Sequence, residues 1–334
     1  MAGVGDDKTG WERGTRGAPL SEAQVSRVLA RALPGRALRS FEWIAGGLIN
    51  TNLKLQVEGL EGALVLRVYT RDPSACRKEA DLHALVSVRV PVPEVLYANA
   101  EGSEEIGPHL LMRWIEGLTL RQLKARRNAP EIAEAADSIG ATLARIGGFT
   151  FPRPGPIGPG LVIGPPFIEG PDPIPTFVEK CLSNPVTSLR LGQEVVLRIQ
   201  DHVWSRATQL SELSEDRRLV HSDFNSPNVI VDRVEDRWTV VGVLDWEFAH
   251  SGSPLFDVGN FLRYERRSSP LLEPHFSDGY RESGGVLPES WRELSRLCDL
   301  TSLCEILTRP DLPESIVPEV ADLIAATIED RDPR

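Results

Sequence analysis

The chain has 334 residues, of which 41% are hydrophobic, and carries a formal net charge of −11. That length supports one large domain or two lobes with a sizeable core, and the acidic balance argues against nucleic acid or an anionic membrane as partner. No apolar run reaches the length of a membrane span, residues 1–11 lack a secretory apolar stretch, and Cys76, Cys181, Cys298 and Cys304 form no CxxC pair, so reduced thiols and a cytoplasmic location are expected.

Residues 1–18 are Gly-rich and charged and read as a disordered tail. Ser21 and Gln24 frame a capping box that opens a helix to about Leu33. Residues 41–44 and 53–57 read as two strands about a Gly turn, the second alternating at Leu53, Leu55 and Val57. Gly46 and Gly47 lack a Cβ, so backbone N–H groups of that turn could approach phosphates; a plain hairpin turn fits the same residues. A third strand, 63–69 (ALVLRVY), carries one charge, Arg67. The turn at 72–74 caps a helix over 75–86, which holds Glu79 and His83 on one face and Asp81 elsewhere. Residues 95–98 and 109–115 (HLLMRWI) are further strands. Helices follow at 118–127 and 130–146. The segment 149–175 is rich in Pro and Gly yet keeps Phe149, Phe151, Ile157 and Phe167, so it is expected to pack and to be functional. Helices are expected at 176–182 and 194–213, and again at 288–307 and 313–328.

The chemistry concentrates in residues 220–260, where two apolar runs, 228–231 and 239–244, form a hairpin about the polar turn 232–237. His221, Asp223 and Asn228 border the first strand, and Asp245 closes the second. Their convergence at the open end of the hairpin makes a hard-oxygen site, of the kind Mg²⁺ prefers when it also holds phosphate oxygens.

H-x-D-x-x-x-x-N (His221, Asp223, Asn228), an apolar strand, and D-x-E (Asp245, Glu247) together resemble the catalytic and metal loops of the aminoglycoside phosphotransferase-like family, small-molecule kinases with a protein-kinase-like fold. Gly252, Pro254 and Asp257 continue the second motif as G-x-P-x-x-D. The resemblance implies an α+β, two-lobed fold: a small N-terminal antiparallel sheet lobe at 19–117 that binds nucleotide, and a larger, mainly helical C-terminal lobe at 118–334 with the catalytic loop and the acceptor pocket. It implies an ATP-dependent O-phosphotransferase, with GTP as an alternative donor, acting on a hydroxylated small molecule such as an aminoglycoside or another amino-sugar or amino-alcohol. Asp223 would be the catalytic base, and Asn228 and Asp245 would hold Mg²⁺. Arg67 would contact phosphate in place of the kinase Lys and pair with Glu79. Gly46, Gly47 and Asn50 correspond to a short Gly–Asn loop at the phosphates. Met112, Arg113, Trp114 and Ile115 would form the hinge that holds adenine through backbone groups. His221 and Asp257 would brace the loop, while Glu247 could approach the metal or the acceptor or form a surface salt bridge. Nucleotidyl transfer and an inactive binding module are the alternatives, and the oligomer would be a monomer or homodimer. Residues 261–334 carry 15 Asp and Glu against 9 Arg, an excess that an acidic pocket for a cationic amine and a solvated helical surface explain equally well.

Overall fold

Strand alternation lays out the first part of the chain. The computed structural model describes residues 20–44, 50–265 and 271–329; the expected tail at 1–18 and the turn bearing Gly46 and Gly47 lie outside them. Helix α1 (Glu22–Ala32) starts at the expected capping box, with Ser21 and Gln24 each accepting from the other's backbone N–H. Strands β1 (Leu38–Trp43), β2 (Thr51–Val57) and β3 (Leu64–Val68) form consecutive antiparallel pairs. Helix α2 (Ser74–Val86) leads to β4 (Val95–Asn99) and β5 (His109–Arg113), which complete an antiparallel sheet of order β1-β2-β3-β5-β4. One face buries Leu53, Leu55, Leu66 and Leu111 against Val25, Val28 and Leu29 of α1. The opposite face presents Leu110 and Met112 to Ala75 and Cys76 of α2. Because side chains alternate along a strand, Leu66 and Val68 point to α1 and Arg67 points the other way, toward α2 and its Glu79.

The chain leaves this sheet at Gly117, whose φ of 131° is open to glycine and whose missing Cβ would stand 2.8 Å from the Val231 carbonyl oxygen. Beyond it come β6 (Leu118–Thr119), α3 (Leu120–Ala125) and α4 (Ala129–Ile146). The Pro/Gly-rich segment is ordered by β7 (Gly155–Pro156) and a 3-10 turn at Pro159–Leu161, where the Gly160 N–H donates to Asp81 of α2 at 2.7 Å. Then follow α5 (Pro173–Leu182), α6 (Pro185–Leu191), α7 (Gln193–Trp204) and α8 (Ala207–Ser214). The sequence reading has no counterpart of α6, and its single helix at 194–213 is two helices. The break comes at Arg206, whose φ and ψ are non-helical and whose guanidinium pairs with Glu293, a contact 87 residues away. A long-range ion pair of that kind leaves no local signal.

Strands β8 (Arg218–Val220), β9 (Val229–Val234), β10 (Arg237–Val243) and β11 (His250–Gly252) hold the motif region. The β9–β10 hairpin turns through Glu235 and Asp236, both at positive φ, as a two-residue hairpin turn requires. β6 pairs with β9 at its edge, and β11 lies between β7 and β8. Helices α9 (Leu255–Leu262), α10 (Glu273–Glu282), α11 (Trp291–Thr308) and α12 (Val317–Ile328) complete the order. α4 and α10 cross closely at Gly140, where a Cβ would meet the Phe276 carbonyl oxygen at 2.0 Å. The main core joins these helices around Trp246, Phe276, Trp291 and Tyr280. All four cysteines are buried and free, and burial pushes the Cys76 thiol up to about 12 and the Cys181 thiol to about 11. Among the described residues, no helix is long and apolar enough to cross a membrane.

Candidate active site

The open end of the β9–β10 hairpin is held in shape by strained backbone and buried carboxylate. Ser222 and Asp245 both have positive φ, 72° and 69°, which costs of order 1–3 kcal/mol at a non-glycine residue. Asp257, fully buried at the start of α9, offsets the strain at Ser222: its two oxygens accept the N–H groups of His221 and Ser222 at 2.7 Å each. Burial pushes the Asp257 carboxyl up to about 7, although these two donors act to lower it. His221 bridges the two strands. Its Nδ1 accepts from the Asp223 N–H at 3.2 Å, so its Nε2–H donates to the Leu244 carbonyl at 3.0 Å. That arrangement needs a neutral ring, and burial lowers the His221 pKa to about 4.

Asp223 is oriented by two amides: Asn225 Nδ2 donates to Oδ1 at 2.6 Å and Asn228 Nδ2 to Oδ2 at 2.9 Å. Asn228 Nδ2 is also 2.9 Å from the Asp223 carbonyl, so its amide oxygen points away from Asp223. Nothing in the sequence marked Asn225; a short polar residue two positions after Asp223 has no distinctive pattern.

Across the gap stands a dense ionic cluster. Arg67 Nη2 lies 2.5 Å from Asp245 Oδ1 and 3.8 Å from Glu247 Oε2, and its Nε lies 3.2 Å from Glu79 Oε2. Burial alone would lower the Arg67 pKa, but Asp245 and Glu79 outweigh it and raise it. Glu79 is buried, which would raise its carboxyl, yet Arg67 and His83 hold it down at about 2. The Tyr69 hydroxyl donates to Glu79, and so does the Trp246 N–H, at 3.4 Å. Tyr69 shares the Arg67 face of the strand, so alternation could have identified it. Glu247 is no surface salt bridge: its side chain is 8% exposed and accepts from Asn50 Nδ2 at 2.8 Å. Burial and the neighbouring Asp245 push it up to about 7. Asn50 Oδ1 is buried without a hydrogen-bond partner among the described residues.

Among the described residues, no group of three or more His, Cys, Asp and Glu side chains forms a ready metal cluster. The donors at the hairpin end are instead one amide oxygen, of Asn228, and the Asp245 carboxylate, with Glu247 nearby. Such a sparse hard-oxygen set fits Mg²⁺, which keeps water and takes phosphate oxygens as its other ligands. Asp245 is raised by burial first, against the pull of Arg67, and further by Glu79 and Asp223, so additional positive charge would be stabilising there.

The expected hinge is largely occupied by the sheet itself. Met112 pairs with Val65 on one side and Val95 on the other, the Arg113 N–H donates to Glu94 and the Trp114 N–H to Ala63. A base held by backbone groups would therefore have to engage peptides after Trp114.

On the far side of Asp223 opens a cavity of about 450 Å³. Ser222 and Asp223 line it, together with Pro154, Phe167 and Ile168 of the Pro/Gly-rich segment and residues of α5, α9 and α11. Arg67, Asn228 and Asp245 do not. Asp223 thus stands at the border between an ionic cluster and a cavity.

Residues 40–294 match the model of the phosphotransferase enzyme family. The chain is 26% identical over 250 residues, 72% of its length, to "Acyl-CoA dehydrogenase family member 11" of Gallus gallus. A 71-residue stretch is 35% identical to a probable acyl-CoA dehydrogenase of Arabidopsis thaliana. The matched part spans 30% of the chicken protein and 8% of the plant one. Among solved structures, the aminoglycoside phosphotransferase APH(4)-Ia in a ternary complex with AMP-PNP and hygromycin B superposes with a TM-score of 0.65 at 22% identity, over 91% of this chain and 97% of that one. ADP-bound APH(2'')-Ib gives 0.60 at 16% identity, over 92% and 98%. The fold is that of these kinase-like phosphotransferases, with a small antiparallel sheet at the N-terminal side and a helical C-terminal part.

Proposed function

Because the chain belongs to the phosphotransferase enzyme family, we propose that it transfers the γ-phosphoryl group of ATP to a hydroxyl of a small molecule. One observation carries the reading: Asp223 lines the cavity while Asn228, bonded to it, ties it to the hairpin end beside Asp245 and Arg67. A hydroxylated molecule in the cavity and a nucleotide at the ionic cluster would then meet at one carboxylate. The nucleotide complexes of the two solved relatives support ATP as donor.

In the proposed mechanism residues 19–117 bind the nucleotide and residues 118–334 supply the catalytic loop and the acceptor pocket. Arg67, held by Glu79, neutralises α/β-phosphate oxygens, and Gly46, Gly47 and Asn50 offer polar groups to the phosphates. The base lies beside Met112 and Trp114 and uses the peptides that follow. Asn228 and Asp245 hold Mg²⁺, which when bound offsets phosphate charge. Asp223 orients the acceptor hydroxyl and takes its proton. The hydroxyl oxygen bonds to the γ-phosphorus, the bond from that phosphorus to the β–γ bridging oxygen breaks, and ADP leaves with the electron pair. Since the transition state is loose, most of the rate comes from positioning and charge neutralisation.

Titration calorimetry with ATP, with and without Mg²⁺, tests the premise. Binding that depends on Mg²⁺ is expected, and no heat at excess Mg²⁺ would end the proposal.

A further inference from the structure

The walls of the Asp223 cavity are unsuited to a polycation. Phe167, Ile168, Ile174, Phe177, Phe256 and Ile306 form much of its surface. Its charged lining residues are mostly neutralised within the protein. Arg263 is gripped by both oxygens of Asp299, at 2.8 and 2.5 Å. Glu305 is paired with Arg309 at 2.6 and 3.2 Å, and Asp311 is likewise engaged. His250 meets Phe167 and Phe256 edge-on, and burial lowers its pKa to about 4, so it is neutral near pH 7. Arg71, exposed at the rim, has no charged or hydrogen-bonded partner among the described residues. Among the described residues, the acidic excess of residues 261–334 therefore reaches the cavity as Glu305 and Asp311, both already paired or engaged. An ammonium group entering it would lose water and meet carboxylates that already have partners, Asp223 among them, an unfavourable exchange.

Resting on the phosphotransferase reading, we infer that the acceptor is a hydroxylated molecule with a mainly apolar body and no cluster of amino groups. Its hydroxyl stands at Asp223, and its body lies against Phe177 and Ile306. Each methylene buried there adds about 0.8 kcal/mol, roughly fourfold in affinity.

The test uses a homologous series of straight-chain primary alcohols, the ω-amino alcohols of the same lengths, and hygromycin B. Two readouts are taken on the full chain: displacement of the fluorophore 1-anilinonaphthalene-8-sulfonate, and acceptor-stimulated ADP release from Mg·ATP. Affinity and kcat/KM should rise roughly two- to fourfold per methylene for the alcohols, with the amino alcohols at least about tenfold weaker and hygromycin B unused. Phe167→Ser alters an exposed wall residue and should flatten the chain-length dependence, with Phe177→Ser as a second wall variant. Arg71→Glu should narrow the gap between alcohols and amino alcohols. Preference for amino alcohols or hygromycin B, or no chain-length dependence in either readout while Mg·ATP binds, would overturn the inference. Alcohols that bind with the expected dependence but are never phosphorylated would uphold the apolar ligand class and sink the phosphotransferase reading instead.

Discussion

Around the buried guanidinium of Arg67 three carboxylates crowd together, whereas on the other side of Asp223 aromatic and aliphatic side chains enclose open space. The two regions differ in how much each residue matters. The ionic cluster sets one guanidinium against several carboxylates, so removal of Arg67 leaves them uncompensated in low dielectric. In the cavity the apolar contacts are many and individually weak, and the Glu305–Arg309 ion pair at its edge is half in water. Asp223 belongs to both, and the contrast can be broken or sharpened at particular residues.

The largest effect is expected at the border itself. Asp223→Asn should lower single-turnover phosphoryl transfer by roughly 10²–10⁴-fold while Mg·ATP affinity, read by titration, stays near wild type. Asp245→Asn should instead lose Mg·ATP affinity together with transfer, because a neutral amide holds a hard cation poorly. If the two variants behaved alike, the assignment of separate roles would be wrong. Next comes Arg67→Ala, which strands Glu79, Asp245 and Glu247; a stability loss of about 3–5 kcal/mol is expected in urea unfolding, and Arg67→Lys should recover part of it. An unaltered unfolding midpoint for Arg67→Ala would deny the cluster its structural role.

A smaller effect follows from His221. Its folded pKa, about 4, lies below the ordinary 6.5, so between these values the unfolded chain binds the proton that the folded ring refuses. Stability from this group is complete above about pH 6.5 and is lost as pH falls through about 4. The melting temperature of His221→Asn should decline less steeply over that window than that of the wild type, and parallel curves would refute the neutral bridge. The smallest effect belongs to the cavity edge. Glu305→Gln breaks a half-exposed pair with Arg309 and should change stability by no more than about 1 kcal/mol; a loss as large as that of Arg67→Ala would erase the distinction between the two regions.

Much of the ionic cluster could be anticipated because it is built from short-range rules. Alternation along β3 sends Arg67 to the α2 side, helical spacing puts Glu79 and His83 on one face, and a hairpin of the spacing between Asp223 and Asp245 must bring its ends together. Glu247 stayed ambiguous for the opposite reason: its burial depends on Asn50, 197 residues earlier.

By itself the sequence determined the five N-terminal strands, the capped start of α1, the hairpin with its motif residues, and the family resemblance they carry. These follow from period, capping and turn chemistry, all of which act within a few residues. Only the tertiary structure decided that α6 exists, that α7 and α8 are separate helices, and that β7 and β11 pair across residues 155–252. It also decided the character of the cavity. Phe167, Phe177, Phe256 and Ile306 come from four separate segments, and Arg263 meets its partner Asp299, 36 residues on, only once the helices pack. Burial and pairing over such distances are properties of the packed chain, and no local pattern in the residues records them.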